Sequence, residues 1–299
     1  MLFATRSILS GTDVTILQKI LGHSEIGMTL RYVKIAEHYN VAEEKIDCDF
    51  ERLEGYLLFP EGASQKPLQE EWQAAKRAGL QVRKLKQSPF DLKFGPCLRF
   101  PRQAQFHPLK YLSGLARAIK RLDGRLFGGT EAKEIKGGNT VKIGTQVRAI
   151  VSAGAVVVAT NTPINDWGKI YAKQQPYRTY VIGAFVPAGS IPRALYWDTE
   201  APFHYVRLQR IHANGRAQDL LMIGGEDHKT GQAEGIEGRF ARLATWGRKH
   251  FPGIKEVAFR WSGQVMESMD DLAFIGRNPK VGLQPNVGDV GDPQLVRPA

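Results

Sequence analysis

Cysteine is scarce in this sequence, and its scarcity excludes two kinds of protein. The 299 residues contain only two cysteines, Cys48 and Cys97. Two thiols can form neither a disulfide framework nor a four-cysteine zinc site. We therefore expect a protein of a reducing compartment, the cytoplasm, and we predict no metal site.

Long apolar segments are also missing. The longest charge-free apolar stretch lies around residues 149–163, which is shorter than the roughly 20 residues that span a bilayer. No apolar segment with a small-residue cleavage site follows Met1, so we expect neither a signal peptide nor a membrane partner. Hydrophobic residues make up 42% and charged residues 24%, which is typical of one large globular domain or two ordinary ones.

Acidic side chains are scarce mainly in the middle of the chain. Residues 61–150 contain 18 basic and 7 acidic side chains, against 6 and 9 in residues 1–60 and 17 and 14 in residues 151–299. Such a basic segment can attract nucleic acid. The other interpretation, which we favour, is a solvated helix surface, because Lys120 and Arg121 alternate with Leu115, Ile119 and Leu122 at the spacing of a core helix.

The spacing of apolar residues predicts an α+β protein. It indicates two helices within residues 12–40 and further helices at 67–80, 108–122 and 236–251. Short alternating segments between residues 179 and 224, and at 260–275, predict a mixed, largely antiparallel sheet. The unbroken apolar run at 155–159 predicts a strand buried on both faces. Residues 281–299 lack any periodicity, so we expect an irregular tail there.

A local motif occupies the first 35 residues. The matching residues are Phe3-Ala4-Thr5, Leu21-Gly22-His23, Thr29 and Tyr32. This pattern resembles the C-terminal end of tyrosine recombinases of the phage integrase family. The resemblance implies that Tyr32 would attack a DNA phosphodiester while His23 stabilises the phosphate. The cationic elements of that family are absent, and without them such a site loses most of its electrostatic stabilisation, so we predict that both residues are inert helix residues.

A second set of motifs extends over most of the remaining chain. The matching blocks are residues 46–53, 95–109, 155–163, 224–231, 260–266 and 274–276. In this order they resemble FAD-dependent oxidoreductases of the D-amino-acid, glycine and sarcosine oxidase type. The similarity is greatest to the bacterial branch that often carries an added Rieske domain. The resemblance implies an α/β-like FAD part, an antiparallel substrate-binding sheet, an FAD cofactor and a small amine or amino-acid substrate.

The same resemblance implies roles for single residues. Cofactor contacts are expected at Ala132 and at the end of the strand formed by Ala159, Thr160 and Asn161. The catalytic candidates are three residues of the substrate-binding sheet, which would cover the reactive face of the flavin: Tyr205, Arg207 and His228. An imidazole there could orient an amine or tune the flavin. The other interpretation of His228 is a surface loop histidine.

One departure from the oxidoreductase pattern is severe. The family begins with a strand and a Gly-x-Gly-x-x-Gly turn, whose amides and helix N-terminus hold the FAD pyrophosphate. No such motif occurs anywhere in the 299 residues. We therefore expect an incomplete and inactive form of the oxidoreductase, divided into a recombinase-like segment at 1–40, a partial oxidoreductase domain at 41–280 and an irregular tail at 281–299. The alternatives are a DNA-binding protein acting through Tyr32 and a scaffold without activity.

Overall fold

A computed structural model shows the fold of the chain. It describes residues 46–89, 92–137, 140–161, 164, 173–213, 216–232, 235–268, 275–277 and 287–291. The helices predicted within residues 12–40 lie outside the described residues, and so do His23 and Tyr32. The chain divides into two compact units, a larger one containing residues 46–111 and 177–264 and a smaller one containing residues 112–176 and 265–291.

Fourteen strands and three helices are described. The helices are α1 (Gln65–Arg77), α2 (Pro108–Arg121) and α3 (Ile236–His250). The strands are β1 (Glu51–Leu58), β2 (Arg83–Leu85), β3 (Cys97–Gln105), β4 (Ala132–Lys136), β5 (Val141–Thr145), β6 (Ile150–Ala153), β7 (Val156–Asn161), β8 (Gln174–Pro187), β9 (Leu195–Asp198), β10 (His204–Ala213), β11 (Arg216–Lys229), β12 (Phe259–Ser268), β13 (Ile275–Arg277) and β14 (Val287–Gly291).

The larger unit is built on one eight-stranded sheet of order β12-β8-β11-β10-β9-β1-β3-β2. Strand β1 runs parallel to β9, whereas β1–β3, β2–β3, β9–β10, β10–β11 and β8–β11 are antiparallel. The prediction of an α+β fold with a mixed, largely antiparallel sheet is confirmed. The helices predicted at 67–80, 108–122 and 236–251 are confirmed as well, with ends that differ by at most three residues.

One face of this sheet forms the main core. Paired residues of five neighbouring strands form a buried row across it: Tyr56, Tyr196, Val206, Ile223 and Ile182. Helix α3 covers the row with Phe240 and Leu243. Each large apolar side chain buried in this way contributes about 1.5–3 kcal/mol relative to its exposed state, so the α3 face supplies most of the hydrophobic stabilisation of the unit.

The opposite face is covered by α1 over only part of its width. Leu68 and Ala75 of α1 pack against Leu57 of β1 and against Leu98 and Phe100 of β3. The helix begins after Ser64, whose hydroxyl accepts a hydrogen bond from the N–H of Lys66 at 3.3 Å, as N-cap residues do. Beyond this cluster the same face continues onto β10, β11 and β8.

The smaller unit contains two three-stranded sheets, of order β4-β5-β6 and β13-β14-β7. Strand β14 runs parallel to β7 and antiparallel to β13. The predicted irregular tail at 281–299 is therefore wrong for residues Val287–Gly291. The backbone groups of this segment pair with β13, which lies shortly before it in the chain, and with β7, which is distant in sequence; the pairing with β7 leaves no local periodicity to detect.

Strand β7 differs from its prediction in burial. Val158 is only 4% exposed and packs against Val141, but Val157 is 66% exposed. The strand is therefore buried on one face, and the prediction of burial on both faces is wrong. An apolar run identifies the strand but cannot show which of its faces has a neighbour.

Helix α2 is also turned differently from its prediction. Ile119 is 40% exposed and Leu122, just beyond the helix end, is 83% exposed, whereas the buried residue of the helix is Gly114. The expectation that the apolar residues of this segment face a core is therefore wrong for Ile119 and Leu122, whereas Leu115 is half-buried. In the described part of the chain, no helix is long and apolar enough to cross a membrane.

His250, in the last turn of α3, is buried among aromatic rings. It is 5% exposed, and its ring stacks on Phe94 with 4.1 Å between centroids. The Nδ1 atom is bonded to the carbonyl of Lys93 at 2.7 Å, and Nε2 has no partner among the described residues. Burial lowers the pKa of His250; the Lys93 carbonyl opposes this shift and the charge of Lys249 adds to it.

We expect the free energy of unfolding to fall as the pH decreases below about 6.5, because the unfolded chain then binds a proton that folded His250 resists. The contribution is fully present at higher pH, where the imidazole is neutral in both states. Urea unfolding between pH 8 and 5 measures it. The variant His250→Asn should show a flatter pH dependence, while His107→Asn serves as the control. Equal pH dependence in the parent and the His250 variant would contradict the expectation.

Candidate active site

Tyr205 and Arg207 lie on the same side of β10. The intervening Val206 and the following Leu208 point into the α3 core, with exposures of 3% and 1%. Because successive side chains of a strand point to opposite faces, Tyr205 and Arg207 belong to the other face. We call this surface the Arg207 face. Its members are Tyr205 and Arg207 of β10, Met222 and Gly224 of β11, and Thr179 and Val181 of β8.

Arg207 is a half-buried cation that has no acidic partner among the described residues. Its Nη2 donates to the carbonyl of Phe106 at 3.4 Å, and its buried Nε has no acceptor. Burial lowers the pKa of the Arg207 guanidinium, and the charge of Glu51 opposes this shift. No carboxylate of the described residues lies within ion-pair distance of it. A guanidinium offers five donors in a planar fork that matches a carboxylate, so Arg207 can bind an anionic ligand.

Tyr205 is held across the neighbouring strand. Its hydroxyl is hydrogen-bonded to Oγ1 of Thr179 at 3.1 Å. Thr179 lies on β8, and β11 separates β8 from β10. The ring passes over Gly224, which is paired with Tyr205. The phenol therefore occupies a fixed position beside Arg207.

A bulge ends the regular pairing of β11 just after Gly224. The register shifts between Gly225 and His228, with φ of 143° at Gly225 and 58° at Glu226. The carboxylate of Glu226, which is 5% exposed, binds Nη2 of Arg242 at 2.6 Å. Arg239 donates to the Glu226 carbonyl at 2.7 Å. Two arginines of α3 thus hold a left-handed residue that would otherwise be strained.

His228 follows this bulge and points to the other face of the sheet. It pairs with Arg178, and its Nε2 lies 2.9 Å from the hydroxyl of Tyr180, a core residue of the α3 face. Its Nδ1 lies 2.8 Å from the carbonyl of Lys229. Because a carbonyl can only accept, Nδ1 carries the proton and Nε2 accepts from Tyr180. The structure thus brings Tyr205 and Arg207 together but separates His228 from them.

The residues expected to contact a cofactor lie in the smaller unit. Ala132, at the start of β4, is half-buried, and Ala159 and Thr160 of β7 are exposed. The carboxyl end of β7, at Asn161, is paired with Gly291 at the carboxyl end of the parallel strand β14. Ligands of α/β sheets bind at the carboxyl ends of parallel strands. This edge therefore fits a nucleotide, although a pyrophosphate turn of the Gly-x-Gly-x-x-Gly type is absent from the sequence.

One group within the described part of the chain has metal-ligand spacing: Asp198, Glu200 and His204. Its members already bind one another. Nδ1 of His204 lies 2.8 Å from Asp198, whose other oxygen accepts the His204 N–H at 2.7 Å, and Glu200 accepts from Trp246 at 3.2 Å. The group therefore closes the β9–β10 connection, and no metal is needed to explain it.

Cys97 is an unsuitable nucleophile, because burial raises the pKa of its thiol to about 12.

Comparison with known families places the whole described chain in one group. A family model described as FAD dependent oxidoreductase matches residues 19–291. The chain belongs to this family. The match extends the oxidoreductase part beyond the predicted limits of 41–280 at both ends. It includes β14 and also residues 19–40 of the segment with recombinase-like motifs.

A curated relative matches over most of this chain. It is YhfW of Bacillus subtilis (strain 168), named as a Rieske 2Fe-2S iron-sulfur protein, and it is 29% identical over 237 residues. The alignment covers 79% of this chain and 45% of that protein. The chain therefore spans less than half the length of the curated relative that it matches.

Solved structures of the same architecture include several oxidoreductases. Glycine oxidase from Geobacillus kaustophilus superposes with a TM-score of 0.69 at 16% identity, over 89% of this chain and 73% of that one. L-proline dehydrogenase from P. horikoshii superposes with a TM-score of 0.68 at 15% identity, over 85% of this chain and 70% of that one. NikD, an amino acid oxidase of nikkomycin biosynthesis, superposes with a TM-score of 0.69 at 12% identity, over 90% of this chain and 76% of that one. These similarities establish the fold of the FAD-dependent oxidoreductase family for this chain.

Sequence reasoning missed two residues that shape the site. In the sequence Thr179 marks only the start of a predicted strand, and Gly224 marks the end of another and the start of the motif block at 224–231. The Gly224-Gly225 doublet is a signal for close backbone approach, and a Cβ at either position would lie within 2.5 Å of a neighbouring atom. Thr179 gives no comparable signal, because its partner is 26 residues away on another strand.

Arg210, on the same strand, provides a matched contrast to Arg207. Its Nε lies 2.6 Å from Oδ1 of Asp219, a fully buried carboxylate that also accepts the N–H of Gly189 at 2.8 Å. Burial alone would raise the pKa of Asp219, but the hydrogen bonds from Arg210 and Gly189 lower it. One arginine of β10 is thus structurally paired, whereas the other lacks an acidic partner.

We expect Arg207→Met to leave the free energy of unfolding within about 1 kcal/mol of the parent or to raise it, because it removes a desolvated charge without an acidic partner. Arg210→Met should lower it by more than Arg207→Met does, because it leaves Asp219 buried and poorly compensated. Chemical unfolding of both variants measures the difference. A larger loss in Arg207→Met than in Arg210→Met would show that Arg207 has a structural partner.

Proposed function

We propose that this chain is the substrate-binding part of an FAD-dependent oxidoreductase that acts on a small amine or amino acid carrying a carboxylate. The observation that carries the proposal is Arg207, a half-buried guanidinium that has an unpartnered Nε and no acidic partner among the described residues. A protein rarely retains such a charge without a ligand to compensate it. Family membership supplies the reaction class, and the substrate class rests on this cation.

Different side chains of the Arg207 face would contact different parts of the substrate. Arg207 would hold the substrate carboxylate through its Nη donors. Tyr205, with its hydroxyl fixed by Thr179 at 3.1 Å, would lie against the rest of the substrate and limit its orientation. Met222, which is paired with Arg207, would supply an adaptable apolar contact. Holding the substrate in one orientation removes much of the entropic part of the barrier.

His228 would act indirectly. Both of its ring nitrogens are engaged, by the Tyr180 hydroxyl and the Lys229 carbonyl, so neither is directed at a substrate. We propose that His228 is a positioning residue that orders the end of β11 through Tyr180. This assignment moves it from direct catalysis to support of the strand that carries Met222 and Gly224.

FAD would be held in part by the smaller unit. The residues proposed to contact it are Ala132, Ala159, Thr160 and Asn161, the last three at the carboxyl end of β7. When bound, FAD would accept the hydride (two electrons and one proton) released from the C–H bond next to the substrate nitrogen, while a second proton leaves the nitrogen as the C=N bond forms. Because the sequence contains no Gly-x-Gly-x-x-Gly turn, we propose that the 299 residues by themselves form an incomplete and inactive version of the enzyme.

The alternative of a DNA-binding protein acting through Tyr32 has no support from the family match or the similar structures. The basic middle segment is therefore best explained by solvated surfaces, and we propose no nucleic-acid partner. A cytoplasmic location is proposed on the two cysteines, Cys48 and Cys97, which are both buried and form no disulfide. Cysteines outside disulfides are typical of reducing compartments.

We expect the purified 299-residue chain not to retain FAD. A helix N-terminus contributes about 0.3–1 kcal/mol to anion binding, and each charge-assisted hydrogen bond adds roughly 1.5–3 kcal/mol. Losing several together costs on the order of 5 kcal/mol, about a thousandfold or more in affinity. Gel filtration after incubation with excess FAD tests this. A protein peak that contains about one flavin per chain would show that other residues bind the pyrophosphate.

The substrate class can be tested without flavin. We expect N-methylglycine to bind the chain in an NMR titration more tightly than methylamine, which lacks the carboxylate. Arg207→Met should weaken N-methylglycine binding by roughly tenfold to a hundredfold, because it removes charge-assisted hydrogen bonds of about 1.5–3 kcal/mol. Arg83→Met, at an exposed arginine of β2, is the control. Equal binding of both ligands, or equal loss in both variants, would refute a carboxylate site at Arg207.

A further inference from the structure

Gly224 leaves room for the ring of Tyr205 where any side chain would collide with it. A Cβ built at Gly224 would lie 2.1 Å from Cζ and 2.4 Å from the hydroxyl oxygen of Tyr205. Carbon atoms in packed proteins do not approach so closely. Gly224 does not have a positive φ, so its backbone would accept alanine. Glycine is therefore required at this position for space alone.

The Tyr205 ring consequently lies along the sheet rather than away from it. Side chains of strands normally stand roughly perpendicular to the sheet. Tyr205 instead passes over β11 at Gly224, and its hydroxyl reaches Thr179 on β8, at 3.1 Å. The next residue has the same close approach, because a Cβ at Gly225 would lie 2.3 Å from the carbonyl oxygen of Phe203. The glycine doublet thus brings β10 and its tyrosine close onto β11.

We propose that Gly224 is a specificity-determining residue, because it keeps the Tyr205 ring flat and leaves the surface beside Arg207 clear for the body of a substrate. This inference rests on the proposed carboxylate site. A flat phenol offers a planar platform, on which an aromatic or otherwise planar group can stack. With the ring displaced by a side chain at position 224, that space would be occupied, and only the smallest carboxylates would still reach Arg207.

A double-mutant cycle tests the geometry independently of any ligand. Gly224→Ala should lower the Tm by about 5 °C, as overpacking does. In a Tyr205→Ala background the same substitution should change the Tm by less than about 1 °C, because the colliding ring is gone. Gly263→Ala is the matched control, since a Cβ at this glycine of β12 meets nothing within 4 Å. Equal Tm losses in the two backgrounds would show that the Tyr205 ring does not lie over Gly224.

Ligand binding tests the role in specificity. Benzoate serves as the planar carboxylate and acetate as the small one, each titrated into the full chain and followed by NMR. Gly224→Ala should weaken benzoate binding by about tenfold or more and acetate binding by less than about threefold. Gly263→Ala should leave both affinities unchanged.

The possible failures point to different errors. If the parent chain binds neither carboxylate, the site proposed at Arg207 is wrong, and the role given to Gly224 falls with it. If the parent binds benzoate and Gly224→Ala binds it equally well, the site stands and only the role of Gly224 is overturned. Loss of benzoate binding together with the Tyr205-dependent Tm change supports the proposal.

Discussion

Each strand of the large sheet carries one row of side chains into the α3 core and one row onto the opposite face, and the register between β10 and β11 decides the membership of both rows. Ten consecutive residue pairs join these strands, from His204–Gly225 to Ala213–Arg216. A shift by one residue would exchange the two faces. It would place Arg207 in the apolar core and Val206 on the surface. The burial of Val206 and Leu208 therefore fixes the site as firmly as it fixes the fold.

The proposed site is built from groups that the fold itself does not use. Arg210 is balanced by Asp219 and stabilises the strand, whereas Arg207 has one weak contact to a carbonyl and is desolvated. Likewise, the absence of a side chain at Gly224 of β11 allows the Tyr205 ring to lie over it. Binding sites often retain such locally unfavourable choices, since the ligand completes them. The contrast between neighbouring residues of one strand distinguishes function from structural support.

The edge of the smaller unit that we propose to contact FAD lacks the most specific loop of a nucleotide site. The parallel pairing of β7 and β14 brings Asn161 and Gly291 to the same edge. Parallel strand ends attract ligands through their backbone geometry, but pyrophosphate also needs a glycine-rich turn with free amides. That turn is absent from this sequence. Family membership and the capacity to hold FAD therefore have to be treated as separate questions for this chain.

The sequence by itself determined the fold class, the family and most of the strands of the large sheet, because alternating apolar residues and glycine-bounded motifs are local signals. It also identified Tyr205 and Arg207 as candidates. Tertiary structure alone decided that His228 points away from them, since the bulge at Gly225 and Glu226 changes the face on which later residues lie. It also revealed strand β14 and the exposed side of α2. Those features depend on partners distant in sequence, and local periodicity contains no information about which partner lies on which face.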